Sequence, residues 1–283
     1  MAEETIVPGT VVRLNEWVQR VTAPNPGVMT GPGTNAYIIG KDDLALIDPG
    51  PESAPHLAAM LGVVGKRLKW ILCTHTHLDH SPGARALKAE TGAQVMGFEK
   101  VPNDGRQDTA FKPDRALKEG DVVDCGAFKL RAVHTPGHAS NHLCYLFDLK
   151  EILFTGDHVM QGSTVVISPP DGDMVAYLKS LDRLLALELA AFAPGHGHVI
   201  EKPHDEVRKL VAHRLKRERK VIDAFGKKNP ATLDELLPLV YDDVSPRIHP
   251  VARRSLHAHV LKLRDEGRAV GEGDAWRLRV EGK

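Results

Sequence analysis

The stretch "WILCTHTHLDHSPG", Trp70 to Gly83, places His75, His77, Asp79 and His80 within six positions, directly after an apolar run. Neutral imidazoles and carboxylates are the nitrogen and oxygen donors that Zn²⁺ accepts, and a catalytic zinc needs them to converge while leaving a position for water. Where a strand gives way to a loop, side chains at 75 and 77 can point the same way, and the turn that follows swings 79 and 80 back toward a neighbouring point. One stretch can thus feed two adjacent metals. The bland alternative is a histidine-rich surface turn. Three later segments weigh against it: "HTPGHASNH" sets His138 behind a Pro-Gly turn, "ILFTGDH" ends an apolar strand in Asp157, and "AFAPGHGH" ends another in His196.

Elements able to position these groups are legible around them. "NAYIIG" (35 to 40) and "LALID" (44 to 48) read as a hairpin about the turn "KDD". "APHLAAMLGVVG" reads as a helix leading to the buried strand "WILCT", and "SPGARALKAETG" as a helix closed by Gly92. The short apolar runs "QVMG", "DVVD", "FKLRAVHT", "HLCYLFD" and "EILFTGD" follow in a meander-like rhythm, and the helix "DMVAYLKSLDRLLAL" and strand "AAFAPGHG" complete the body. An α+β chain is predicted, with strands in two packed sheets and helices outside.

From Glu206 onward the chain changes character. There, 18 Lys/Arg face 12 Asp/Glu in a chain whose formal net charge is zero, so the tail carries +6 and the body −6. Val207, Val211, Leu215, Ile222 and Phe225 fall on one face of a charged helix, and Thr232 and Glu235 form a capping-box pattern around "TLDELLPLV". A third helix, "HPVARRSLHAHVLKLRDEG", has Pro250 near its start, and "RAVGEGDAWRLRV" reads as a hairpin. Three helices followed by a hairpin is the order of a winged-helix module. The chain therefore divides into a catalytic body, 1–205, and a winged-helix-like tail, 206–283.

Composition narrows the class. With 283 residues, 42% hydrophobic and 26% charged, the chain is ordinary globular protein, which argues against wholesale disorder or a fibrous repeat. The N-terminal "MAEETIVPGT" lacks a basic segment followed by an apolar one, and no run of about 18 apolar residues occurs, so a cytoplasmic protein with no membrane partner is expected. Cys73, Cys125 and Cys144 show no CxxC spacing and read as small buried hydrophobes.

The ligand run HxHxDH, His, Asp, His, present as "HTHLDH", "TPGH", "FTGD" and "PGHG", resembles that of the metallo-β-lactamase superfamily. The resemblance implies a four-layer αββα sandwich, a first zinc held by His75, His77 and His138, a second held by Asp79, His80 and His196, and Asp157 bridging them. Over nearly the whole chain, segments such as "APNPGVMTGPGTNAYIIG", "TPGHASNHLCYLF" and "PGHGHVI", with the tail, resemble the β-lactamase-like protein 2 group, which pairs this domain with a C-terminal winged helix. That group includes single-strand-selective endoribonucleases, and similar proteins are thioesterases. The segment "GDHVMQGST" lacks the tyrosine that acyl-homoserine lactonases carry after the bridging aspartate, which disfavours lactonase activity.

The expected activity is hydrolysis by a dinuclear zinc centre, although the same ligands accept Fe or Mn. Two metals about 3.5–4 Å apart bring the pKa of a shared water near neutrality and so make a bridging hydroxide nucleophile. Asp79 is the expected catalytic residue, orienting the nucleophile and relaying its proton. The resemblance sets the "GTNAY" loop beside the metals, so Asn35 is expected to contact substrate, as is His142; Asp48, closing the strand "LALID", is expected to brace a metal ligand from behind or to stabilise its own turn. Two substrate classes stay open. Single-stranded RNA would use "HRLKRERK" and "ARRSLHAH" for phosphate contacts; a small acyl substrate, a thioester, ester or lactam, would need only the metal cleft. The basic tail could instead solvate its helix faces, dock on the body or form a homodimer.

Overall fold

The computed structural model describes residues 5–272 and 275–279. One sheet runs in chain order through β1 (Val11–Arg13), β2 (Val18–Thr22), β3 (Asn35–Gly40), β4 (Leu44–Ile47), β5 (Leu68–Leu72), β6 (Gln94–Gly97) and β7 (Arg115–Ala116). Pairing is antiparallel from β1 to β4 and parallel from β4 to β7. A parallel neighbour requires a crossover, and α1 (Ala54–Val64) and α2 (Gly83–Thr91) supply the first two. The second sheet holds β8 (Val122–Asp124), β9 (Lys129–His134), β10 (Leu143–Phe147), β11 (Ile152–Gly156) and β12 (Ala191–Pro194), in the order β12-β11-β10-β9-β8. Only its β11–β12 pair is parallel, joined through α3 (Met174–Leu184).

Alternation along each strand builds the layers. Tyr37, Ile39 and Ile47 of the first sheet meet Leu130, Tyr145 and Phe154 of the second in a central core. Ile38, Leu46 and Ile71, pointing the other way, pack against Met60 and Leu87 of α1 and α2. On the far side, Leu146, Leu153 and Phe192 pack against Tyr177 and Leu181 of α3. The result is the four-layer αββα sandwich. Both faces being covered explains why β3, β4 and β10 are buried along their whole length. The hairpin of β1 and β2, which the sequence reading leaves unassigned, extends the first sheet at its edge.

The tail is a winged helix: α4 (Pro203–Lys227), β13 (Ala231–Thr232), α5 (Leu233–Val240), α6 (His249–Asp265) and the wing of β14 (Ala269–Glu272) and β15 (Ala275–Leu278). The capping box forms, with the Glu235 amide donating to Thr232 Oγ1 at 3.3 Å and the Thr232 amide donating to Glu235 Oε2 at 2.8 Å. The 25-residue α4 belongs to both regions: Val207 and Leu210 join the body's outer core, while Val221, Ala224 and Phe225 join the tail core with Leu256 and Trp276. The division after residue 205 thus falls within its first turn.

The expected apolar face of α4 needs one correction. Leu215 is 50% exposed, and Arg214 and Arg217 are buried instead. Arg214 donates to the Val165 carbonyl and lies 5.2 Å from the Tyr177 ring centre. Arg217 donates to the Val240 carbonyl at 2.6 Å and to Asp243 at 2.8 Å, above the Tyr241 ring. Each guanidinium can be buried because carbonyls, a carboxylate and aromatic faces replace its water. No described helix is long and apolar enough to cross a membrane.

Candidate metal centre

All seven expected ligands lie at one end of the sandwich, in the loops after β5, β9, β11 and β12. The fold brings them into two groups whose donor atoms lie within 4.8 Å of one another: His75, His77, His138 and Asp157, and Asp79, His80 and His196. Asp157 faces both. Its Oδ2 is 3.6 Å from His138 Nε2, and its Oδ1 is 3.2 Å from His196 Nε2 and 3.4 Å from His80 Nε2. Asp79 Oδ2 lies 3.4 Å from His196 Nε2 and 3.5 Å from His80 Nε2, and its side chain is 28% exposed toward the cleft.

The orientation of four of the five imidazoles is set from behind. His138 Nδ1 donates to the Val166 carbonyl at 2.8 Å, His196 Nδ1 to the Gly33 carbonyl at 3.1 Å, and His80 Nδ1 to Asp48 Oδ2 at 2.9 Å. Thr74 donates its hydroxyl proton to Asp48 Oδ2 at 2.8 Å, so its oxygen accepts from His75 Nδ1 at 3.0 Å. Fixing a proton on the outer nitrogen makes the inner Nε2 the atom that faces the site, with a lone pair to offer whenever it carries no proton of its own. Asp48 also accepts from the Thr74 amide at 2.7 Å, and holds a left-handed backbone, φ 53°, to do so. Gly195 is required by close approach, since a Cβ there would sit 2.8 Å from His80 Cε1 and 2.9 Å from Asp157 Oδ1.

These residues fit divalent cations. His77 Nδ1 lies 2.9 Å from His75 Nε2 and 3.0 Å from His138 Nε2, a crowding of three nitrogens, two of which have their protons on the far side. A shared cation satisfies all three lone pairs at once. In the other group, His80 Nε2 and Asp157 Oδ1 are buried and face each other at 3.4 Å without hydrogen-bond geometry, an incompletely satisfied state that an ion between them would complete. Imidazole with carboxylate is also the donor chemistry of zinc and neighbouring transition metals.

Electrostatically the groups differ. Burial, reinforced by neighbouring imidazoles, holds His75 well below the ordinary histidine range; burial and His138 take His77 down to about 3, and burial lowers His138 as well. At His80 burial pulls the same way, but Asp79, Asp157 and Asp48 outweigh it and raise the group well above its usual value. Burial likewise opposes protonation of His196, yet Asp157 and Asp79 lift it to about 10. Burial would raise the carboxylates; His80 and His196 reverse this and hold Asp79 and Asp157 low.

Two expected substrate contacts are corrected. Asn35 is fully buried, donating to the carbonyls of Pro194 at 3.0 Å and Gly197 at 2.9 Å while accepting from Thr22 at 2.8 Å. It is the first residue of β3 and ties that strand to the loop carrying His196. His142 is also fully buried, its Nδ1 meeting Thr135 Oγ1 at 2.9 Å and its Nε2 accepting from the Asp157 amide at 3.2 Å. It fixes the Asp157 loop and does not reach the cleft. From the "GTNAY" loop it is Thr34 that touches the site, donating to Asp79 Oδ2 at 3.3 Å. The cleft beside the metal ligands, about 330 Å³, is also lined by Met29, Arg106, Met160, Val165 and Arg254, none of which belongs to a ligand motif.

Fold and site together define a metal-dependent hydrolase. The chain belongs to the metallo-beta-lactamase superfamily, whose family profile matches residues 29–196, and a profile for the beta-lactamase associated winged helix domain matches residues 232–276. Among its relatives, a beta-lactamase-like protein 2 homolog of Drosophila melanogaster is 31% identical over 278 residues, covering 91% of each chain. An atrochrysone carboxyl ACP thioesterase of Aspergillus fumigatus is 34% identical over 220 residues, covering 75% of this chain and 66% of that one. A beta-lactamase domain protein from Burkholderia ambifaria has the same fold, with a TM-score of 0.83, 19% identity and coverage of 98% of this chain and 96% of that one.

Proposed function

We propose that this protein hydrolyses acyl thioesters with apolar acyl groups, using two divalent cations, zinc by donor chemistry. His75, His77 and His138 would hold one, Asp79, His80 and His196 the other, and Asp157 would offer one oxygen to each. The observation that carries the substrate class is a predominantly apolar chamber of about 340 Å³, with His213, Arg214 and Arg217 also in its wall, that shares Met160, Val165 and His196 with the metal cleft. It continues between body and tail, where Val28, Tyr241, Val244, Ile248 and Val251 wall it. A chamber of this size and lining suits an acyl chain, and the thioesterase among the relatives points the same way.

Much of the basic tail is also committed within the molecule. In "HRLKRERK", Arg214 and Arg217 are buried in the contacts described above, and Lys220 pairs with Asp242 and Asp243. Arg253 of the second basic run donates to Asp234 at 2.6 Å. These cations answer internal partners, which favours the acyl reading over phosphate-backbone binding.

Divalent ions in the two groups would supply Lewis acidity at the attacked carbonyl and a water acidified to near neutrality. The chain's own contributions follow from geometry. Asp157 fixes the spacing of the two donor groups, itself held through its amide by His142. Asp79, open to the cleft and steadied by Thr34, would accept the nucleophile's proton and pass it to the departing thiolate. The chamber would seat the acyl chain and keep water from its carbonyl except at the site.

The test is a chain-length series of acyl thioesters run beside a single-stranded RNA, with His77→Ala as control. Turnover with inert RNA is expected, and kcat/KM should rise roughly fourfold per added methylene, as about 0.8 kcal/mol of transfer energy implies, until the chamber is full. RNA cleavage lost in His77→Ala, with thioesters untouched, would reverse the assignment.

A further inference from the structure

A second pocket adjoins the metal cleft on the side away from the apolar chamber. It measures about 430 Å³ and shares Arg106, Ser168 and Arg254 with the cleft; Arg253, His257 and Asp104 complete its polar lining. The two pockets are divided by α6. Val251, Ala252 and Ser255, at helical spacing, line the apolar chamber, while Arg253, Arg254 and His257 line the polar pocket. One helix thus presents an apolar stripe to one side of the cleft and a cationic stripe to the other.

The charges in this pocket do not cancel. Asp104, buried, takes two bonds from Arg106, at 2.7 Å from Nη2 and 3.1 Å from Nε, and Arg106 Nη2 also donates to the Ser168 carbonyl at 3.0 Å. These bonds fix the plane of the Arg106 guanidinium, and Nη1 takes no part in them. Asp234 answers Arg253. Arg254 has no carboxylate partner among the described residues, so one positive charge is left over where the polar pocket opens into the metal cleft.

A thioester has two halves, and an apolar acyl chain occupies only one pocket. We propose that the polar pocket is the subsite for the thiol half and selects thiols bearing an oxyanion, a phosphate or a carboxylate, with Arg254 supplying the uncompensated charge and Arg106 the oriented guanidinium edge. A planar guanidinium suits either oxyanion. The inference rests on the thioesterase reading and names its leaving group.

The experiment compares thioesters with one acyl chain and matched thiols ending in phosphate, carboxylate or neutral amide, in the wild type, Arg254→Ala, Arg254→Glu and Arg254→Lys. The wild type should prefer an anionic thiol by roughly tenfold or more in kcat/KM, the order expected of a charge-assisted contact. Arg254→Ala should erase that preference, Arg254→Glu invert it and Arg254→Lys restore part of it. Whichever anion shows the larger dependence on residue 254 identifies the handle. Equal rates for anionic and amide-terminated thiols in the wild type, or a preference that survives Arg254→Ala, would overturn the subsite. If no thioester is cleaved at all, the thioesterase reading fails separately. Calorimetry with the phosphate- and carboxylate-terminated S-methyl thioethers then decides the subsite: binding lost in Arg254→Glu supports it, and no wild-type binding of either rejects it.

Discussion

The two donor groups sit side by side and share Asp157, yet they are built in opposite ways. His75, His77 and His138 form a nest of imidazoles that burial keeps free of protons. Asp79, His80 and His196 form a network in which carboxylates draw protons onto the imidazoles. A cation entering the first group meets vacant lone pairs; one entering the second must displace protons. On the proposed two-cation reading, the first group should retain its ion and the second should bind one with an affinity that follows pH.

Removing a donor from the nest is the harshest way to break this contrast. His77→Ala should cost roughly a thousandfold or more in kcat/KM toward thioesters, because the proposed hydrolysis depends on a cation held there. Its far-UV circular dichroism should match that of the wild type. Activity within tenfold of the wild type would disprove the role given to His77.

Asp48→Asn attacks the second group directly, through the bond that orients His80, and reaches the first only through Thr74. Second-group affinity should fall about 10- to 100-fold, the usual cost of losing such a partner, while the first equivalent is retained in a chelator competition. Equal weakening of both equivalents would show that Asp48 supports the whole site.

Acid sharpens the comparison without mutation. Protons and cation compete for the same Nε2 atoms of His80 and His196, and the latter holds its proton up to about 10, so second-group affinity should fall steadily as pH drops from 8 to 6. His77, at about 3, takes up no proton in that range, so the first equivalent should stay. Metal content after dialysis at stepped pH would reveal the order; simultaneous loss would contradict it. The smallest effect belongs to Thr34→Val, which removes the 3.3 Å bond to Asp79 and should lower kcat by less than about tenfold with both cations retained.

The seven donors were legible because few residue types bind cations and each follows an apolar strand or a glycine-rich turn. Asn35 and His142 were misread because a polar side chain that will bond buried carbonyls and amides looks, in sequence, like one that will meet substrate. Only the burial of β3 and of the loop before β10 separates the two cases. The layered sandwich followed from strand alternation and helix caps, whereas the β1–β2 hairpin has short strands and turns at Asn15 without glycine or proline to mark it. The tail's charge excess was visible, but its meaning was not. That Arg214 and Arg217 are consumed by Val165, Val240 and Asp243 depends on contacts distant in sequence. Arg106 and Arg254 meet at the cleft for the same reason, and no local pattern announces them.

The placement of α6 has a consequence for descent. The metal ligands come from the sandwich and many walls of the two pockets from the winged helix, so on the proposed reading substitutions in Val244, Ile248, Val251 or Arg254 should alter what is admitted while sparing the metal ligands. The architecture thus separates the part that would choose a substrate from the part that would cleave it, so either can change with the other held fixed.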